Sequence, residues 1–254
     1  SGQIEGGYKL SQLPSLFSNA LSEVYSFLPF KGVDENQELS YNIRVQSGYL
    51  SAVFPALSVQ EDALFKGRLS SSINQSKLEF KIPRVSYKGV NSENFNLQID
   101  TQNPIYSTFV SIGKISGERY NIHDFYTLGI RKNDTLSFRS EFKGALDSTD
   151  EFKLNYYQTV SDGVSVFGIL PSSVLYRDNL WNINADSDKT HIIKFSNLDQ
   201  SITLSSFKAE SENEHVFVSG NYHSKNDFAL VLDLDQVNLD KVASYNSNFE
   251  LKGN

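Results

Sequence analysis

The chain of 254 residues has no cysteine, no methionine and a single tryptophan, Trp181. Without cysteine there can be no disulfide, no thiolate metal site and no cysteine nucleophile. The lack of methionine leads us to expect an excised or processed segment of a longer protein, with Ser1-Gly2 as an expression scar. Basic residues are outnumbered, 23 Lys and Arg against 30 Asp and Glu, for a net charge of -7. No basic cluster offsets that balance, which argues against a nucleic-acid partner, whose phosphates demand Lys and Arg on one face. No apolar run approaches the roughly 20 residues of a spanning helix, so any targeting or anchoring segment is expected to lie outside this piece.

What is present is aromatic and apolar. Phe and Tyr number 18 and 13, and 39% hydrophobic with 21% charged residues is ordinary for a folded domain. Phe, Tyr, Val and Ile suit a pleated surface, so the bias is towards strand.

Residues 11–28 form the exception, because their period is helical. Leu13, Leu16, Phe17, Ala20, Leu21, Val24, Phe27 and Leu28 recur at three- and four-residue spacing, with Ser15, Ser18, Asn19, Ser22 and Glu23 on the other side. Pro14 suits the first turn and Pro29 the stop. We therefore expect residues 1–30 to carry an amphipathic helix that packs on the sheet or plugs an open apolar surface. Residues 31–40, including VDENQE at 33–38, read as a polar linker.

From residue 41 to 254 the period becomes two. Leu78, Phe80 and Ile82 alternate, as do Phe95, Leu97 and Ile99, then Leu136 and Phe138, then Phe152, Leu154 and Tyr156. Turn clusters fall between them at 70–76, 89–94, 131–134 and 147–151. Later strands are expected at 181–184, 192–195, 202–205, 215–219 and 228–233. A short amphipathic piece follows at 239–245, and Phe249 and Leu251 open a further alternation that suggests a continuing array.

Chemistry is sparse. His123, His191, His215 and His223 make no ligand spacing, and the adjacent His123-Asp124 pair would face opposite sides of a strand. Gly163, Ser165 and Gly168 miss the spacing of a nucleophile elbow by one residue. Asn184, Asp186 and Asp188 alternate like the first ligands of a calcium loop, yet Lys189 stands where Gly is needed and Phe195 where the bidentate Glu belongs. A polar hairpin turn accounts for them better. Asp233 and Asp235 lie on the wet side of a strand and make no glycosidase pair by themselves. No enzyme, cofactor or metal site is expected.

The stretch SSVLYRDNLWNI at 172–183 resembles the "serine, apolar strand, Asp, x, x, Trp, x, Ile" phrase of the TamB family. IIKFSNLDQSITL at 192–204, VFVSG at 216–220 and DFALVLDLDQVNL at 227–239 continue the resemblance, and 41–57 and 77–82 are similar to its repetitive strands. The helix has no counterpart in that pattern, and no strict repeat length is kept. The resemblance implies a long periplasmic protein of the AsmA-like, bridge-forming superfamily, its inner-membrane anchor outside this fragment. It also implies a taco-like sheet carrying phospholipid between inner and outer membranes, with a TamA-like or BamA-like β-barrel partner in outer-membrane protein assembly.

The expected fold is mostly β: an extended, strongly curved antiparallel sheet with an open apolar groove and one N-terminal amphipathic helix. Phe80, Ile82, Phe95, Leu97, Ile99, Leu136, Phe138, Phe152, Leu154, Ile202, Leu204, Val216, Val218, Leu230 and Leu232 are the expected groove lining for phospholipid acyl chains. Phe217, Ala229 and Val231 fall in the opposite register, from which we expect part of the sheet to be covered on both sides, with the helix as the candidate cover. A closed β-sandwich that binds carbohydrate or protein would need the same alternation; periodicity leaves both open.

Overall fold

In a computed structural model of the chain, the described residues are 1–25, 28–53, 56–71, 76–117, 121–144, 149–161, 164–189, 191–196, 199–224 and 227–238. The strands are β1 (Gly2–Glu5), β2 (Glu38–Val45), β3 (Leu57–Val59), β4 (Ala63–Ser70), β5 (Lys77–Tyr87), β6 (Val90–Asp100), β7 (Thr108–Ser116), β8 (Asn121–Lys132) and β9 (Thr135–Gly144). They continue with β10 (Asp150–Ser161), β11 (Val164–Ile169), β12 (Ser172–Tyr176), β13 (Asn179–Ile183), β14 (Ile192–Ser196), β15 (Ile202–Ser211), β16 (Glu214–Ser224) and β17 (Asp227–Asp235). All seventeen belong to one sheet, and every pairing is antiparallel. No second sheet faces it among the described residues.

The connectivity is a meander in which each long strand pairs with its neighbours in sequence, from β4 through β10. Two rungs are broken strands. β3 and β4 share β5, and β11 and β12 share β10. The second break falls at Leu170-Pro171, where proline has no N–H to give the ladder. Asn155 on β10 bridges the gap: its backbone N–H donates to Ser172 Oγ at 2.8 Å and its side-chain amide to the Pro171 carbonyl at 2.7 Å. Tight hairpins join several strands. Lys88-Gly89 (φ 48° and 84°) and Arg177-Asp178 (φ 46° and 64°) adopt the paired left-handed conformations of a type I′ turn. The expected turn at 89–94 is therefore shorter, because β6 already starts at Val90.

The helix is also shorter than its periodicity predicts. A 3-10 turn at Leu10–Gln12 leads into α1 (Leu13–Ser22). Instead of running to Pro29, α1 ends where Arg131 of β8 reaches across and donates through Nη1 to the carbonyls of Ser22, at 3.3 Å, and Glu23. A guanidinium at a helix C-terminus satisfies orphan carbonyls and complements the dipole. Two residues assigned to the wet side, Asn19 and Ser22, are buried. Asn19 donates to the Lys31 carbonyl at 2.7 Å and accepts from its N–H at 2.8 Å, and Ser22 Oγ donates back to the Asn19 carbonyl, so neither burial leaves a polar group unpaired.

The polar linker is similarly tied down. Gln37 is buried and accepts from the Lys9 N–H at 2.9 Å. Two elements within the expected stretches have another type: β1 in the segment expected to be helical, and a second helix, α2 (Ser47–Val53), in the segment expected to be strand. The residues expected at 239–245, and Phe249 and Leu251, lie outside the described residues.

α1 makes the core with one end of the sheet. Leu16, Ala20 and Val24 meet Leu39 and Tyr41 of β2, Leu69 of β4, Leu78 of β5, Ile99 of β6 and Leu136 of β9. The Phe17 and Tyr41 rings lie 5.7 Å apart, and the Tyr25 hydroxyl is 3.3 Å from that of Thr108 on β7. This helix covers the first part of one sheet face. It does not cover Phe217, Ala229 or Val231: Val231 is 60% exposed, and no described element packs over that register.

Candidate functional site

Residues directly opposite in an antiparallel pair share a face, so the registers can be followed across the whole sheet. They place all fifteen expected lining residues on one face, the face that carries α1. Phe80 is opposite Leu97, Ile82 opposite Phe95, Leu136 opposite Gln158, Phe138 opposite Tyr156 and Phe152 opposite Val174. Leu204 opposes Ile193 of β14, and Val218 and Gly220 of β16 oppose Leu232 and Leu230.

On that face the fifteen residues fall into two environments. Ile99 and Leu136, 2% and 5% exposed, lie beneath α1, and Phe80, Leu97 and Phe138 pack against the same cluster. These five belong to a closed core. Ile82, Phe95, Phe152, Leu154, Leu204, Val216 and Val218 are half-buried, Ile202 is 38% exposed, and Leu230 and Leu232 are 66% and 57% exposed.

Away from the helix, one row of side chains runs perpendicular to the strands without interruption. It passes from Phe95 on β6 to Ile112 on β7, Phe125 on β8, Phe142 on β9, Phe152 on β10, Val174 on β12 and Trp181 on β13. All seven are half-buried. Phe125 and Phe142 have centroids 5.9 Å apart, and Phe142 and Phe152 stack at 4.4 Å. Six interstrand steps make the row about 29 Å long.

Five of its members are absent from the expected lining: Ile112, Phe125, Phe142, Val174 and Trp181. For Phe125 the reason is local. A bulge between His123 and Tyr126, with Asp124 at φ 52°, sets two residues of β8 against one of β9 and shifts the phase of alternation. Phe142 could have been found by extending the alternation of Leu136 and Phe138 by four residues. The bulge also means that simple strand alternation does not govern His123 and Asp124.

Between this row and the helix-covered core lies a polar seam. Ser140 Oγ donates to Thr127 Oγ1 at 2.8 Å and lies 3.1 Å from the Tyr156 hydroxyl, and both Ser140 and Thr127 are buried. These hydroxyls satisfy one another, so the seam needs no external partner.

The opposite face mixes apolar residues such as Leu175, Leu180 and Phe217 with charged depressions. A depression of about 460 Å³ there is lined by Lys66, Arg68, Lys77 and Glu79, and another of about 490 Å³ by Arg139, Glu141 and Lys153. Their charges pair locally: Lys77 with Asp100 at 3.1 Å, Arg139 with Glu141 at 2.5 Å. A hydrogen bond from the Tyr126 hydroxyl, with the nearby Arg139 charge, holds the Glu141 carboxyl below its ordinary range. Exposed pairs of this kind add little stability.

The calcium-like spacing resolves into a turn. Asn184 is buried, its Oδ1 accepts from the Asp188 N–H at 2.6 Å, and its amide donates to the carbonyls of Ile169 and Asp188. Among the described residues no three His, Asp or Glu side chains are grouped to hold a metal ion. His191 is buried with Nε2 accepting from the Lys208 N–H at 2.9 Å, a bond that ties β14 to β15. Gly163 of the elbow-like triplet lies outside the described residues.

No family model, no curated protein and no solved structure matches this chain.

Proposed function

We propose that this chain is a segment of a TamB-like, periplasmic lipid-conducting scaffold, whose apolar sheet face shields phospholipid acyl chains in transit between inner and outer membranes. The carrying observation is the half-buried row from Phe95 to Trp181, apolar at all seven positions and left uncovered by α1. At about 29 Å it exceeds one leaflet's share, about 15 Å, of a bilayer hydrocarbon core. Each methylene buried against it would contribute about 0.8 kcal/mol without specific polar recognition. Headgroups would stay in water. In this reading the sheet curls about the row into a groove, and α1 closes the part over Leu78, Ile99 and Leu136. The SSVLYRDNLWNI phrase supports the family, and with it an inner-membrane anchor elsewhere and a TamA-like or BamA-like barrel partner.

Native mass spectrometry of the purified chain, with identification of extracted lipids, tests the reading. Trp181 supplies a second readout: as the sole tryptophan and the last member of the row, its emission should shift to the blue when phospholipid fills the face. Finding no bound lipid, together with no response to added phospholipid, would overturn the proposal.

A further inference from the structure

β17 is exposed at all nine of its positions, unlike any other strand of that length or more among the described residues. On one side it is fully paired, with Leu234, Leu232, Leu230 and Phe228 opposite Val216, Val218, Gly220 and Tyr222 of β16. On its other side no described strand pairs with it. Phe228, Leu230, Val231 and Leu232 are 65%, 66%, 60% and 57% exposed, so apolar side chains flank this edge on both faces. Soluble proteins usually blunt such an edge by shortening it or by placing charged side chains, above all lysine, or proline on it. β1, at the other end of the sheet, has four residues; β17 is not shortened and carries neither lysine nor proline. Its only charged residues are Asp227, Asp233 and Asp235, and none of the three enters an ion pair among the described residues.

We propose that the edge of β17 that no described strand pairs receives an extended segment of another polypeptide, alternating apolar and basic residues, which adds an antiparallel strand. The unpaired backbone groups supply register-independent affinity, the two apolar faces supply burial, and the three aspartates select the charge of the guest. A second copy of this chain fits poorly. Full-length self-pairing about Val231 sets Asp227 opposite Asp235 at both ends, and like charges directly opposed are destabilising. Pairing with β1 of another copy would cover only four residues and bring Glu5 to an acidic edge.

The test uses the whole chain and three labelled peptides: one alternating valine with lysine, one alternating valine with glutamate, and the lysine peptide N-methylated at alternate residues. The lysine peptide should bind saturably, the other two roughly tenfold or more weakly, and amide exchange should slow at residues 227–235. Asp233→Lys with Asp235→Lys should reverse the preference between the charged peptides. The proposal is overturned by no binding, or by lysine-peptide binding that survives N-methylation or ignores the reversal. It is also overturned by protection without peptide of the β17 amides that point away from β16, whether at every concentration, which means cover by the chain itself, or only as a dimer mass appears, which means a second copy.

Discussion

The rings of Phe142 and Phe152 stack across β9 and β10 with centroids 4.4 Å apart and planes 9° from parallel. They are directly opposite in register, with Phe125 on one flank and Val174 on the other. Aromatic pairs of this kind contribute about 0.5–1.5 kcal/mol beyond the area they bury. A double-mutant cycle with Phe142→Leu and Phe152→Leu should return a coupling of that size by urea denaturation. A coupling near zero would mean that the rings are merely adjacent.

The two environments on the apolar face should respond differently to charge. Ile99→Asp places a carboxylate under α1 with no partner and should abolish cooperative unfolding, or cost about 4 kcal/mol or more. Leu230→Asp, at a position 66% exposed, should stay within about 0.5 kcal/mol of the parent, as surface substitutions do. Paired thermal melts decide it; a large loss at Leu230 would show that β17 is covered in solution.

Strand alternation in residues such as Phe95, Leu97 and Ile99 made the sheet legible, because half-burial leaves a period of two in the sequence. It could not distinguish Ile99, sealed beneath α1, from Phe95, four residues away on the same strand and uncovered, since both environments ask for the same side chain. Phe125 was hidden by the bulge at Asp124, which no composition signal marks, whereas Phe142 continues the alternation of Leu136 and Phe138. The end of α1 was illegible for a different reason: Arg131, 108 residues from Glu23, sets it. Buried Asn19 and Gln37 look like surface residues until their partners, Lys31 and Lys9, are known.

Arg131→Ala should loosen α1 without disturbing the sheet. The guanidinium donates to two helix-end carbonyls, and hydrogen bonds from charged groups are worth about 1.5–3 kcal/mol. We expect about 1–2 kcal/mol lost in urea midpoint experiments, because water can replace part of the contact. Faster amide exchange should be confined to residues 13–25. An unchanged exchange rate there would remove Arg131 from the role of helix anchor.

Glu23 gives the helix end a pH dependence of defined sign. Burial pushes its carboxyl above the ordinary glutamate value of 4.5, against hydrogen bonds from Ser76 and Thr101 and the charge of Arg131. The folded state therefore holds this proton to higher pH than the unfolded state. Stability falls as pH rises from 4.5 through the raised value, and the residue is a net cost at neutral pH. Glu23→Gln should raise the melting temperature at pH 7, and the gain should shrink as pH drops below 4.5. An equal offset at both pH values would trace the effect to packing.

Lipid occupancy should separate from stability along the same face. Phe152→Gln puts an amide in the middle of the uncovered row, where water still reaches it, so the fold should survive with a loss of about 1–3 kcal/mol. The apolar path would be broken at its centre, and phospholipid recovered by native mass spectrometry should fall several-fold. Ile99→Ala opens space beneath α1 and should cost about 2–5 kcal/mol, yet the row is untouched, so the folded fraction should carry lipid as the parent does. A closed apolar core also predicts a stability loss in both variants, but no change of lipid content in either. Measuring both quantities on both variants therefore distinguishes a conduit from a core, which alternation of apolar residues alone never can.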